Sequence, residues 1–113
     1  MFEQTIRVNY LYDFYAPLLT ERQGHVLRMY YCEDLSLGEI AAELNISRQA
    51  VYDILRRTVK QMESMEEKLG LYRKFQERQL DFEEALNIIA DAPLAESEKK
   101  KIFRLLSRMH YQD

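Results

Sequence analysis

Leu37-Gly38-Glu39-Ile40-Ala41-Ala42-Glu43-Leu44-Asn45-Ile46-Ser47-Arg48-Gln49-Ala50-Val51-Tyr52-Asp53-Ile54 is the stretch that decides the fold. Ser36 stands just before it and Glu39 follows three residues later, a capping box that predicts a short helix over Leu37 to Leu44, with Leu35 packing on its first turn. Asn45 tolerates left-handed backbone better than most residues, and Ser47 is a further N-cap. Ile40, Leu44, Ile46, Val51 and Ile54 are apolar where two such helices face each other, and Ala41 is small where they cross closest. These are the constrained positions of a helix-turn-helix, whose two helices, joined by ~3–4 residues at ~90–120°, touch only there.

The pattern stays helical on both sides of this motif. Upstream, Thr20 and Gln23 form another capping box, and the helix they start runs to about Glu33 with Val26, Leu27 and Tyr30 as its buried face and Met29 and Tyr31 at the flanks. Gly24 inside it costs about 1 kcal/mol relative to Ala. The segment Phe2 to Tyr15 reads two ways: Ile6, Tyr10 and Phe14 share a helix face, whereas Val8, Tyr10, Tyr12 and Phe14 alternate as on a strand. Helix is the better reading, since no second strand exists to pair with it, and Pro17 closes the segment.

Downstream, Val51, Leu55, Thr58, Met62, Met65 and Leu69 recur at intervals of four and three, a heptad seam that serves either the chain's own core or a partner helix in a homodimer. Own-core packing is the commoner use of such a stripe. Gly70 ends this helix and another begins at Leu71, the alternative being one helix through Gly70. A break is expected near Asp81, which with Glu84 makes a cap, followed by an apolar face of Phe82, Ala85, Leu86 and Ile89. Asp91-Ala92-Pro93 is a turn, and the segment from about Ala95 to Tyr111 carries Ile102, Leu105, Leu106 and Met109 on one face.

The chain is therefore expected to be all-α and a single domain over 1–113, with a helix-turn-helix core at about 19–69 and a helical C-terminal extension at about 71–113. A length of 113 residues with 47% hydrophobic and 31% charged residues is a globular composition that excludes two catalytic domains. Only three glycines and two prolines leave too few turns for an all-β fold. No window is apolar enough to span a membrane, and Met1 to Arg7 lacks the core of a signal peptide, so no membrane partner and a cytoplasmic location are expected.

The net charge of −3 conceals a local bias: residues 1–46 hold three basic and seven acidic residues, residues 47–60 four and one, and residues 61–113 nine and eleven. The one sustained positive window thus begins at the second helix of the motif. Exposed charges act over roughly 8 Å at physiological salt, so a basic stripe contacts phosphates even on an acidic chain. Ser47, Arg48, Gln49 and Tyr52 lie on the outward first turns of that helix, with Asp53 beside them and Arg56, Arg57 and Lys60 further along. Arg binds guanine edges and Gln adenine edges, which suits Arg48 and Gln49 to bases, and Arg56, Arg57 and Lys60 to the backbone. Tyr52 is placed to stack or to donate to phosphate.

The runs Leu19-Thr20-Glu21-Arg22-Gln23, Leu35-Ser36-Leu37-Gly38-Glu39-Ile40-Ala41 and Ile46-Ser47-Arg48-Gln49-Ala50-Val51 resemble the promoter-reading region four of bacterial sigma factors over residues 18–68. The chain has no room for the rest of a sigma factor. With the aromatic N-terminus, Ser47 to Asp53, and Glu67-Lys68-Leu69-Gly70-Leu71-Tyr72 followed by Lys74-Phe75, nearly the whole chain resembles the YlxM family of small bacterial helix-turn-helix proteins. That resemblance implies a regulatory role in the signal recognition particle pathway, with the particle's RNA or its GTPase as partner. Two readings follow: a regulator that binds nucleic acid, DNA foremost, and a protein-interaction module for the GTPase in which the motif is only scaffold. A helix cannot enter the narrow major groove of A-form RNA, so RNA would be bound through shape and phosphates.

The remaining features favour ordinary uses. Lys99-Lys100-Lys101 reads as a solvated helix face rather than a phosphate contact. Tyr10, Tyr12 and Tyr15 read as packing against the second helix rather than a stacking or protein-binding patch. His25 and His110 stand alone, and Cys32 has no partner at metal-site spacing. Glu66-Glu67 and Glu83-Glu84 diverge on a helix, so no catalytic residue, metal or cofactor is expected.

Overall fold

The structure, a computed structural model, describes residues 5–111 and their side chains to residue 110. It contains six helices and no strand among the described residues: α1 Thr5–Tyr15, α2 Glu21–Leu27, α3 Leu37–Leu44, α4 Arg48–Leu69, α5 Leu71–Asp91 and α6 Glu96–Tyr111. The fold is all-α, and α1 settles the helix reading of the N-terminal segment; Phe2 lies outside the described residues. The chain forms two compact units, Met1–Tyr72 and Arg73–Asp113.

The first unit is built on α4, against which α1, α2 and α3 pack. Its core is Val8, Leu11, Tyr15, Val26, Leu27, Met29, Ile40, Ala41, Val51, Leu55 and Met62. On α1 the buried face is Val8, Leu11 and Tyr15, while on the face shared by Ile6, Tyr10 and Phe14 Ile6 is 74% exposed. Both faces satisfy the 3.6-residue period, so only the position of α4 decides between them. Pro17 sits in a single 3₁₀ turn, Ala16–Leu18, that closes α1.

Both capping boxes form. Gln23 N donates to Thr20 Oγ1 at 3.1 Å and Thr20 N to Gln23 Oε1 at 3.0 Å; Glu39 N and Ser36 N make the same exchange at 3.0 Å each. After Leu27 the chain widens into a π turn, Arg28–Cys32, and Met29 takes the buried place expected of Tyr30. The wider winding changes the helix phase, leaving Tyr30 and Tyr31 half-buried and edge to face, their rings 5.0 Å apart. Burial and the neighbouring Tyr30 push the Tyr31 hydroxyl well above the ordinary tyrosine range.

Asn45 ends α3 at φ 57°, the left-handed position foreseen for it, and Gly70 ends α4 at φ 63°. On α4 the seam holds through Val51, Leu55, Thr58 and Met62, all fully buried within this unit. Thr58 is accommodated because its hydroxyl donates to Ile54 O at 2.7 Å. Beyond Met62 the buried position is Glu66, not Met65, and Leu69 is 47% exposed. At ~100° per residue Met65 and Glu66 lie equally far from the middle of the seam, so periodicity does not choose between them and the partners that Glu66 meets do.

Glu66 then closes the α4–α5 turn. Its Oε1 accepts from Tyr15 Oη at 2.7 Å and from Tyr72 N at 3.0 Å, while Leu71 N donates to Tyr15 Oη at 3.3 Å. Burial, followed by the hydrogen bond to Glu66, holds the Tyr15 hydroxyl above the ordinary tyrosine range. Nearby, Arg7 grips Glu63 with Nε and Nη2, the shortest contact 2.7 Å, and lies 5.6 Å over the Tyr72 ring, on which Tyr10 stacks at 5.0 Å. The N-terminal aromatics therefore reach α4 and the start of α5 as well as α2, where Arg28 Nη1 donates to Tyr12 Oη at 2.8 Å.

In the second unit α5 runs unbroken through Asp81. Asp81 stands in mid-helix at a propensity cost below about 1 kcal/mol, and no glycine or proline accompanies it to stop the winding. The two helices of this unit meet through aromatic rings: His110 stacks on Phe82 at 4.8 Å and on Phe75 at 5.6 Å, and its Nε2 donates to Gln79 Oε1 at 2.6 Å. His110, expected to stand alone, is the one buried side chain described in this unit, whereas Met109, expected in the apolar face, is 71% exposed. Lys99 folds back to donate to Ala90 O at 2.9 Å, while Lys100 and Lys101 are exposed.

Candidate nucleic-acid interface

The α3–turn–α4 geometry follows from three local devices. Ser36 and Glu39 fix the start of α3, Asn45 reverses the chain, and Ser47 Oγ accepts from Ala50 N at 3.0 Å to start α4. Ile40 and Ala41 of α3 and Val51 and Leu55 of α4 are buried where the helices cross, with Leu44, Ile46 and Ile54 half-buried around them. The opposite side of α4 is open to solvent.

The seven candidate residues do not share one environment. Ser47 spends its hydroxyl acceptor on the cap. Arg48 folds back over the first turn of α3, where a Cβ on Gly38 would lie 2.8 Å from Arg48 Nη2 and 3.0 Å from Nε. Gly38 thus provides the seat for that guanidinium. Gln49 Nε2 donates to Asp53 Oδ1 at 3.1 Å, one turn along, so the amide and the one acidic group of the stripe are joined. Tyr52 is half-buried. Arg56, Arg57 and Lys60 are exposed on the solvent side.

The basic side extends further than the sequence suggested. Arg57, Gln61, Ser64 and Lys68 follow each other at intervals of four, three and four, and with Lys60 and Met65 they line an open depression of about 430 Å³. Lys68 lies beyond the positive window at 47–60 because Glu63, Glu66 and Glu67 mask it in any segment count. The structure sets two of these charges apart: Glu63 pairs with Arg7 and Glu66 is buried, while Glu67 is exposed. Helical spacing from Arg57 was the available clue. Gln61 also accepts from Gln23 Nε2 at 3.0 Å, which ties α2 to this side of α4.

A family described as "Putative helix-turn-helix protein, YlxM / p13 like" matches residues 2–110. The chain belongs to that family. YlxM/p13-like relatives include UPF0122 proteins of Bacillus cereus strain Q1, Bacillus anthracis strain A0248 and Bacillus thuringiensis subsp. konkukian strain 97-27. Each is 45% identical over 109 residues, covering 96% of this chain and 99% of the relative. The YlxM/p13-like match spans both compact units, so the helical extension is as much part of the family's pattern as the helix-turn-helix. Among the described residues of this YlxM/p13-like chain no helix is long and apolar enough to cross a membrane, and no group of three or more His, Cys, Asp or Glu is placed to hold a metal ion.

Proposed function

We propose that the protein is a regulatory nucleic-acid-binding protein that engages duplex DNA foremost, through the solvent side of α4. The observation that carries this reading is the exposed row Arg56, Arg57 and Lys60 on the second helix of a helix-turn-helix. Cations on that row neutralise phosphates and release counterions, which supplies affinity without reading sequence. Base reading falls to Arg48, Gln49 and Tyr52, with Ser47 at the helix start; Arg48 must leave Gly38 and Gln49 must exchange Asp53 for a base edge. Both are small, exposed rearrangements beside the ~1–3 kcal/mol of a good bidentate base contact.

The same engagements favour a second reading, in which the motif is scaffold and the signal recognition particle's GTPase is the partner. Fluorescence anisotropy with the full chain separates the two. Saturable binding to mixed-sequence duplex DNA, weakened at least about tenfold between 50 and 200 mM salt, is expected. Preference for the particle's RNA would assign the protein to targeting rather than transcription. Absence of binding to both, with co-elution of the purified GTPase on gel filtration, would overturn the first reading in favour of the second.

A further inference from the structure

The exposed cations of α4 do not all stand on its base-reading side. At ~100° per residue, Arg57, Gln61, Ser64 and Lys68 share an arc of about 60°, with Lys60 at its edge. Gln49 and Tyr52 centre about a third of a turn away from that arc, and the buried residues Val51, Leu55, Thr58 and Met62 take the remaining third. A helix laid in the major groove with Gln49 and Tyr52 toward the bases therefore turns the Arg57 row toward one wall of the groove. That wall is the phosphate backbone of one strand.

The row is cationic along its length. Arg57, Ser64 and Lys68 are exposed, and the depression of about 430 Å³ that they line with Lys60, Gln61 and Met65 has no acidic side chain in its lining. The acceptor oxygen of Gln61 is taken by Gln23 Nε2 at 3.0 Å, so what that amide still offers is its donor nitrogen. Asp53, one turn before Arg57, is half-buried and accepts from Gln49, and Glu63 pairs with Arg7. Glu63 and the exposed Glu67 continue the arc of Gln49 and Tyr52 rather than that of Arg57, which confines base reading to the first turns of α4. The length fits as well. At ~1.5 Å per residue Arg57 and Lys68 are about 16 Å apart along the axis, while neighbouring phosphates of one strand, rising ~3.4 Å each around the duplex, lie about 7 Å apart. The row thus spans about three phosphates with the three cations Arg57, Lys60 and Lys68.

We propose that Arg57, Lys60, Ser64 and Lys68 form a phosphate track along one strand of the duplex, so that α4 lies lengthwise in the groove instead of entering it by its first turn alone. The track rests on the nucleic-acid reading of α4 and gives it a pose. Lys68 is about 30 Å from Arg48 along the helix axis, well beyond the ~12 Å width of the major groove, and so it touches the duplex only when the helix lies along it.

Fluorescence anisotropy of the full chain with mixed-sequence duplex DNA at 50 and 200 mM salt tests it, using Lys68→Ala, Ser64→Glu and, as a charge control, Lys100→Ala at an exposed lysine of α6. Lys68→Ala is expected to flatten the log–log salt slope by about 1, so that its affinity gap to wild type narrows about threefold between the two salts. Ser64→Glu sets a carboxylate against the strand and weakens binding about tenfold or more at the lower salt. Lys100→Ala changes neither affinity nor slope, and all three variants keep the helix content of the wild type by circular dichroism. A wild type whose slope falls with Arg57→Ala but ignores both Lys68→Ala and Ser64→Glu overturns the track and leaves the nucleic-acid reading standing. Equal effects of Lys68→Ala and Lys100→Ala overturn the track as well, since net charge alone would then account for the slope. A wild type that binds no duplex overturns both.

Discussion

The two units of this chain are stabilised in different ways. The first encloses α4 among three other helices and hides aliphatic side chains from all of them, whereas the second brings two helices together over one stacked histidine. Sequence pattern suffices where four helices pack together and exclude water, whereas two amphipathic helices leave apolar side chains such as Leu80 and Met109 exposed.

The largest effect expected from this contrast is in the cores. Leu55→Ala removes a fully buried side chain and is expected to cost about 2–5 kcal/mol in urea denaturation, whereas Leu106→Ala, at a half-buried position, costs under about 2 kcal/mol. Equal losses would erase the distinction between the units.

A smaller effect tests the Glu66 cluster. Tyr15→Phe removes the hydroxyl that donates to Glu66 and is expected to cost about 1–3 kcal/mol near neutral pH, read from the same denaturation curves. Its pH dependence has a definite sign. Because the folded state holds the Tyr15 proton more tightly than the unfolded chain, this stability is fully present below about pH 10 and is lost as pH rises from there through the folded value. Tyr31 acts in the same direction. The wild type should therefore lose stability above pH 10 more steeply than Tyr15→Phe, and parallel curves would contradict the assignment.

The smallest effect is a gain. Gly24 has ordinary space around it, its would-be Cβ meeting Arg28 Nη1 at 3.6 Å and Tyr12 at 3.9 Å, so nothing in the backbone requires glycine. Gly24→Ala is expected to raise stability by about 0.5–1 kcal/mol, measured as a higher urea midpoint. A loss would show that the Tyr12–Arg28 pair cannot yield.

What was legible in the sequence was local. Thr20 with Gln23, Ser36 with Glu39, Ser47, Asn45 and Gly70 fix helix ends through groups within three or four residues, and so their roles follow from type and spacing. What was not legible depends on partners far along the chain. Glu66 displaces Met65 from the inner face because Tyr15 and Tyr72 meet it there. Met29 replaces Tyr30 because a π turn intervenes, and Asp81 fails to cap because nothing beside it interrupts the helix. In the candidate interface the positions of Arg56, Arg57 and Lys60 could be read from helical phase. The seat of Arg48 on Gly38 and the reach to Lys68 needed the fold.

Whether the exposed cations of α4 neutralise phosphates is decided by the salt dependence of duplex DNA binding for wild type and for Arg56→Ala with Arg57→Ala. The double variant is expected to bind every sequence more weakly, with a log–log salt slope shallower by about 2, one unit for each arginine removed from a phosphate. Unchanged affinity and slope in the double variant would contradict it.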